Sequence, residues 1–341
     1  MKRILFIVSL LSASLTMSAQ QAEVFRLETE VRIDYMQEYQ EGNAQDAVSG
    51  FQGKSFNFRI DGQIADGLTY SWRQRVNRPG KNDSFFDATD WATINYSLDR
   101  WTFSGGKQVV AIGGYEYDMS PINCYFSSEY WHNIGCYQFG ASASYALGSK
   151  EDKLMFQFCE SPFRRNALNV TGKEMFAYNL MWTGRHGFFS TISSVNMIEY
   201  LPGKFINYIA LGSRYEGDQV ALELDVMNRA VNAKDFWGKD MSVMADFSWY
   251  PSDRLRLFAK VTYDFNRCEE IGDFGVLPGT DVVRAGVGLE FYPLKNMKNL
   301  RLHLNGCYTD GKCVEGGALR PHQTIIDGGV TWRMKIIDLK R

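Results

Sequence analysis

The sequence predicts an all-β fold, a transmembrane antiparallel β-barrel of about sixteen strands with short periplasmic turns, long extracellular loops and an infolded third loop. Three observations predict it. Apolar and polar residues alternate with a period of two through most of the chain, short and long connections alternate between the resulting strands, and aromatic residues gather beside the short connections. A barrel in an outer membrane needs all three, because its strands face lipid and water on alternate residues and cross two interfaces.

The first strand sets the pattern. In VFRLETEVRIDY, Phe25, Leu27, Thr29, Val31, Ile33 and Tyr35 fall on one face, and Arg26, Glu28, Glu30, Arg32 and Asp34 on the other. Side chains of a strand point alternately to opposite faces, whereas a helix would mix the two sets. Next, Phe56, Phe58, Ile60 and Ile64 alternate with Ser55, Asn57, Arg59, Asp61 and Gln63. After Ala65-Asp66-Gly67, Leu68, Tyr70, Trp72 and Val76 alternate with Thr69, Ser71, Arg73, Arg75 and Asn77. An Asp-Gly pair between two such runs signals a hairpin.

The same reading continues through Ala92 to Phe103 with a turn at Asp99-Arg100, Tyr137 to Phe158 with a turn at Gly148-Ser149, and Phe176 to Asn196 with a turn near Gly187. The parity of 188–196 is ambiguous. Ile209 to Val226 turns at Glu216-Gly217-Asp218, Val243 to Phe265 turns at Pro251-Ser252-Asp253, Val283 to Tyr308 passes Pro293, and Ile326 to Ile336 closes the series. Longer polar connections are expected at 39–54, 77–87, 107–135, 160–174, 197–205, 228–241, 266–281 and 309–322. A soluble sandwich gives no reason for connection length to alternate in this way, and its strands are shorter. Tyr96, Trp101, Tyr145, Trp182, Phe188, Tyr215, Trp249, Phe291 and Trp332 sit beside the short turns, as an interfacial girdle would.

The chain of 341 residues begins MKRILFIVSLLSASLTMSAQQ, with a basic start, a short apolar run and small residues near Ala19, which reads as a signal peptide over 1–19 followed by one barrel domain over 20–341. Export to a bacterial outer membrane follows as the expected location. With a net charge of −2 and no basic tract, nucleic acid is not an expected partner. The six cysteines form no CxxC pair and lie at no metal-ligand spacing, so neither a metal nor a cofactor is expected. Cys307 and Cys313 are close enough in sequence to bridge one loop, with free thiols in the wall as the more ordinary reading.

The charged face of the first strand is too hydrated for a dry interior, since unpaired buried charges are costly, so it reads as the wall of a water-filled lumen. Arg59 and Arg73 are expected to face each other across the first hairpin, with Arg75 one pleat further, as a basic cluster lining the pore. Arg256, Lys260, Arg284, Arg301 and Arg333 take the same lumen-facing parity. The longest connection, KQVVAIGGYEYDMSPINCYFSSEYWHNIG, is aromatic and apolar, and so reads as a packed loop folded inward to narrow the channel. Its Lys107, Glu116 and Asp118 are assigned to the constriction, and Glu116 and Asp118 are the expected counter-charges of the basic cluster. Gly105-Gly106 and Gly113-Gly114 read as bends or close backbone approaches.

The hairpin SFNFRIDGQIADGLTYSWRQRV, the segment WTFSGGKQVVAIGGYEYDMSP and the terminal GGVTWRMKI resemble the phosphate-selective porin O and P family of Bacteroidota outer membranes. That resemblance implies a sixteen-stranded, trimeric porin with an infolded third loop. Two departures stand out. The family's named members owe anion preference to basic groups along the lumen, yet the long loop here sets Glu116, Asp118 and Glu129 against Lys107, and no phosphate-site residue carries over. Such barrels also often end on an aromatic residue read by the barrel-assembly machinery, whereas this chain runs on to Arg341, which leaves Trp332 to Ile336 as the expected signal.

The lumen charges so assigned nearly balance, which points to passive diffusion of ions and small hydrophilic solutes, with anions such as phosphate as one class among them. A plugged barrel or adhesin is the alternative. Catalysis is not expected: of His132, His186, His303 and His322, only His303 points into the lumen, and no Ser or Asp partner is evident for it in the sequence.

Overall fold

The computed structural model describes residues 24–77, 86–148, 151–165, 172–269, 275–295, 297–312 and 322–339. The expected signal peptide lies outside these residues. Sixteen long antiparallel strands run β1 (Val24–Gln40), β2 (Gly50–Ala65), β3 (Leu68–Arg75), β4 (Thr89–Leu98), β5 (Trp101–Val109), β6 (Tyr137–Leu147), β7 (Asp152–Glu160) and β8 (Phe176–His186). They continue as β9 (Phe189–Leu201), β10 (Lys204–Glu216), β11 (Val220–Ala230), β12 (Asp240–Ser252), β13 (Leu255–Asn266), β14 (Asp281–Phe291), β15 (Leu300–Lys312) and β16 (Gln323–Leu339). A two-residue bridge, Asn43–Ala44, extends the first loop. Each strand pairs with its neighbours in sequence, and β1 closes the sheet against β16 from Phe25↔Leu339 to Gln40↔Gln323. Closure leaves no free edge, so every backbone group within the membrane has a partner.

The period of two fixes which side faces out. Along β1, Ile33 and Tyr35 are 46% and 50% exposed, while Arg32 and Asp34 are buried on the inside. The same outward parity exposes Phe103, Phe156, Leu180, Leu224, Val261 and Leu304. An apolar belt of that size would drive aggregation in water, and lipid is the solvent it suits. At the short-turn rim Trp101 lies 4.8 Å from Tyr145 between ring centroids, and Trp182, Trp249 and Trp332 also face outward.

Three expectations about the strands change. The connection expected over 197–205 is a tight Pro202-Gly203 turn, with Leu201 paired to Lys204 and Gly203 at φ 75°. Proline ahead of a positive-φ glycine is turn chemistry that needs no longer loop. The last strand runs past Ile336 to Leu339. The parity of 188–196 resolves with Ser194, Asn196, Ile198 and Tyr200 inward and Val195 and Met197 outward.

The ambiguity there has a cause: part of the interior is apolar. Val110, Ile112, Tyr130 and Ile134 of the third loop pack with Ile198, Tyr200, Ile206, Tyr208, Met227 and Met244 of the wall in one buried cluster. Apolar residues therefore occupy both faces of β9 and β10. Cys307 is a buried free thiol, and Cys313 lies outside the described residues.

Candidate functional site: the constriction loop and its wall

Beyond Val109 the chain turns into the barrel and stays there until Tyr137. Gln157 of β7 grips both ends of the first step, accepting from the Ala111 amide at 2.7 Å and donating to the Val109 carbonyl at 2.8 Å. Asn196 of β9 donates to the Ala111 carbonyl at 2.8 Å, and the Ser194 hydroxyl accepts from the Gly113 amide at 2.8 Å. A Cβ on Gly113 would stand 2.7 Å from the Ile192 carbonyl and 2.9 Å from Ser193 Cα, and Gly114 adopts φ 99°. Loop and wall thus meet backbone to backbone, which only glycine permits. Gly106 of β5, at φ 120°, makes the corresponding close approach to Ala92 of β4.

The loop then forms a short α-helix, α1 (Tyr115–Asp118), whose first amides are orphans by construction. Asp225 of β11 satisfies two of them, accepting from Tyr115 N at 2.9 Å and Glu116 N at 2.7 Å. Glu116 in turn receives Lys260 of β13 at 2.6 Å and the Ser128 hydroxyl from further along the loop. Asp264 accepts from the Glu129 amide at 2.9 Å, and Arg284 pairs with the Glu129 carboxylate at 2.8 Å. Arg301 and Arg333 donate to Asn123 Oδ1 at 2.8 and 3.1 Å, and Arg32 to the Cys124 carbonyl at 2.6 Å. Tyr125 donates to Glu290 at 2.7 Å. Wall charges from β11 round to β1 therefore hold the loop, rather than standing free in water.

That is a correction to the reading of the first strand. Glu30, Arg32 and Asp34 are buried, and the interior tolerates them because each is paired: Arg32 Nη2 lies 2.7 Å from Asp34 Oδ2, and Arg73 Nη2 lies 2.6 Å from Glu30 Oε2. Arg26 pairs with Asp61 at 2.8 Å and approaches Glu28 at 3.5 Å, near the short-turn rim. Arg256 pairs with Glu290 at 3.2 Å, and Arg333 reaches Glu30 at 3.1 Å. All these groups face inward, as their parity requires.

The basic cluster forms, but with other counter-charges. Arg59 and Arg73 lie directly opposite each other in the β2–β3 ladder. Arg73 is neutralised by Glu30 and by Asp90 at 2.6 Å, Arg75 by Asp90 at 2.6 Å, and Arg59 by Asp61 at 2.8 Å. Glu116 is instead bound to Lys260 on another part of the wall, and Asp118 lines a cavity with Arg214. Burial pushes the Asp118 carboxyl above the usual range, and Arg214 partly opposes that rise. Lys107 belongs to β5, not to the loop, and donates to the Phe86 carbonyl.

His303 does have carboxylate partners. Its Nε2 lies 3.1 Å from Asp34 Oδ1 and 3.3 Å from Asp327 Oδ1, under the Tyr125 ring at 4.6 Å. The three ligating atoms lie within 4.8 Å of one another, a spacing a cation can bridge. Arg32 already bonds Asp34 and approaches Asp327 at 3.7 Å, and Asn305 donates to Asp327 at 3.1 Å, so the group reads as an ion-pair cluster. Sequence spacing hid it, because Asp34, His303 and Asp327 meet only where the barrel closes.

Two cavities stack along the wall the loop leaves uncovered. The outer, about 540 Å³, is charged and lined by Arg75, Lys107, Arg164, Arg165, Asp87, Asp90 and Glu160. The inner, about 450 Å³, lies between the loop and β3–β8. Tyr117, Pro121, Trp131, Cys136 and Tyr137 line both and mark the narrowing between them.

A closed barrel with a lipid-facing belt, a charged interior and an infolded third loop defines an outer-membrane porin. The family model described as phosphate-selective porin O and P matches residues 25–184, from β1 into β8. The fold is similar to the anion-selective porin from Comamonas acidovorans, with a TM-score of 0.65 at 10% identity over 92% of this chain and 100% of that one. It is also similar to the outer-membrane channel DcaP of Acinetobacter baumannii, with a TM-score of 0.64 at 12% identity over 92% and 99%. The trimer form of in-vitro folded OmpT of Vibrio cholerae gives a TM-score of 0.62 at 11% identity over 92% and 100%. At these identities the likeness establishes the architecture. No curated protein matches the chain.

Proposed function

We propose that the chain forms a channel in the bacterial outer membrane for passive diffusion of ions and small hydrophilic solutes, with at most a slight preference for anions. The observation that carries this reading is the neutralised basic cluster: Arg59, Arg73 and Arg75 are each held by a wall carboxylate, which leaves no concentrated positive field at the narrowing. At the mouth, four cations face three carboxylates, and three ion pairs join them: Arg75–Asp90, Arg164–Glu160 and Arg165–Asp87. The excess of one positive charge favours anions weakly, phosphate among them. A homotrimer is supported by the trimer form of the Vibrio cholerae neighbour. The reading includes no chemical step on a substrate, and hydrolysis of phospholipid or peptide by the purified barrel would contradict it.

The test is single-channel recording in a planar bilayer under a KCl gradient, then with phosphate added. Stable open steps and a reversal potential near zero or slightly to the anion side are expected. A strong anion preference with phosphate block would restore the family's named specificity, and folded protein without steps would identify a plugged barrel.

A further inference from the structure

The inner cavity differs in kind from the mouth above it. Of the residues that line it, only Arg73 and Asp118 carry charge, and Arg73 is bound by both Glu30 and Asp90. We propose that this cavity is a binding subsite for an uncharged, polyhydroxylated solute, a mono- or disaccharide, which the channel admits. The proposal rests on the reading of the chain as a channel and names one class of solute for it.

The other polar groups of the cavity are neutral, among them Ser71, Asn95, Ser104, Gln108 and Ser142. Gln108 is only 8% exposed, and its Oε1 accepts the Ser142 hydroxyl at 3.0 Å. Its Nε2 has no acceptor among the described residues, and neither has the buried Tyr117 hydroxyl at the loop edge of the same cavity. Unmatched buried donors are costly unless water or a solute meets them. Aromatic rings stand beside them: Trp91 and Tyr137 lie 6.1 Å apart between ring centroids, with Arg59 and Arg73 over Trp91 and Arg75 over Tyr137, and Trp131 borders the cavity from the loop. A sugar presents just this pairing, hydroxyls around its rim and C–H groups across its faces. An ion entering the same space would shed water against a wall that returns little charge. The volume lies within the roughly 300–1,000 Å³ typical of small-molecule sites.

The experiment is maltose titration of the single-channel current, with a polyethylene glycol of matched size as reference. Maltose is expected to block saturably, while the glycol lowers conductance only in proportion to its concentration. Tyr117→Phe and Gln108→Leu are each expected to raise the half-blocking concentration about three- to tenfold, the share of one hydrogen bond to a neutral group. Heat-modifiable migration on gels confirms that each variant is folded, and Tyr117→Phe removes only a hydroxyl. Block by maltose no greater than by the glycol, or saturable block that both variants leave unchanged, overturns the subsite. Tryptophan fluorescence of the detergent-solubilised protein, read through Trp91 and Trp131, follows maltose binding without conduction. Saturable quenching without channel steps would keep the subsite and overturn the channel, and channel steps without quenching or block would do the reverse.

Discussion

The Lys260–Glu116 contact offers the sharpest test of how the loop is held. Its charged atoms lie 2.6 Å apart, with the two side chains 6% and 3% exposed. Glu116→Gln keeps an amide oxygen beside Lys260 but removes the paired charge, leaving the buried ammonium with neutral acceptors such as the Phe126 carbonyl at 3.1 Å. Stranding one member of such a pair costs about 3–5 kcal/mol. The lower end alone changes an equilibrium by a factor on the order of 100. Because Asp225, Arg284, Arg301 and Tyr125 still tether the loop, the docked state is expected to stay dominant while excursions become more frequent. Cys124, in the loop, reports them: burial raises its thiol pKa and so suppresses the reactive thiolate while the loop is docked. With the other cysteines replaced by serine, Glu116→Gln is expected to speed maleimide labelling of Cys124 at least tenfold, and to leave the urea midpoint of the barrel nearly unchanged. Adding Lys260→Met removes the stranded charge and is expected to slow labelling again. A labelling rate within twofold of the parent, or a parallel fall in the urea midpoint, would refute the reasoning.

Further outcomes follow from the same contacts. Arg73→Ala removes a buried cation shared by Glu30 and Asp90, leaving Arg333 and Arg75 as their partners, so the reversal potential under a KCl gradient is expected to move toward cations, and by more than for Arg59→Ala, whose part-exposed partner Asp61 keeps Arg26. Gly113→Ala forces a methyl against the Ile192 carbonyl and is expected to lift the loop, giving faster Cys124 labelling without any change of charge. Leu224→Arg places a charge on the lipid face and is expected to cost about 2–4 kcal/mol of barrel stability in a urea titration, since a lipid-facing arginine is penalised by its depth in the bilayer. Asp118 has a raised carboxyl pKa, so on acidification it loses its charge at a higher pH than the ordinary value of about 4. The cavity then becomes less negative, and selectivity is expected to move toward anions in that window. In stability terms the docked loop binds the extra proton, so docking strengthens as the pH falls through the raised value and weakens as it rises. Asp118→Asn should remove the step in both readouts.

The wall was legible in the sequence because lipid and lumen impose a local rule, one residue out and the next in, that a single strand already displays. Strand count, inward parity of the named charges, the girdle and the infolded third loop all follow from it. Where the rule failed, a second solvent was present. Ile198, Tyr200, Ile206 and Tyr208 face inward yet are apolar, since the loop covers them, and so β9 lost its alternation. Partners of the charges were not legible for a different reason: Arg73 meets Glu30 and Asp90, which lie 43 and 17 residues away, and only the register of four adjacent strands, β1 to β4, brings them together. The Asp34–His303–Asp327 cluster is further still from local reading, because it spans the seam where β1 meets β16.

This pairing also bears on how a lumen can be rich in charge and yet weakly selective. Net field at a constriction depends on charges that remain uncompensated within a few ångströms, not on how many line the wall. Here one set of wall cations is spent on the loop, through Glu116, Glu129 and the Asn123 and Cys124 oxygens, and a second is matched by carboxylates on adjacent strands. The first set fixes where the loop lies. The second keeps the uncovered wall near neutral, which is the condition under which amides, hydroxyls and rings, rather than ions, decide what lingers at the narrowing.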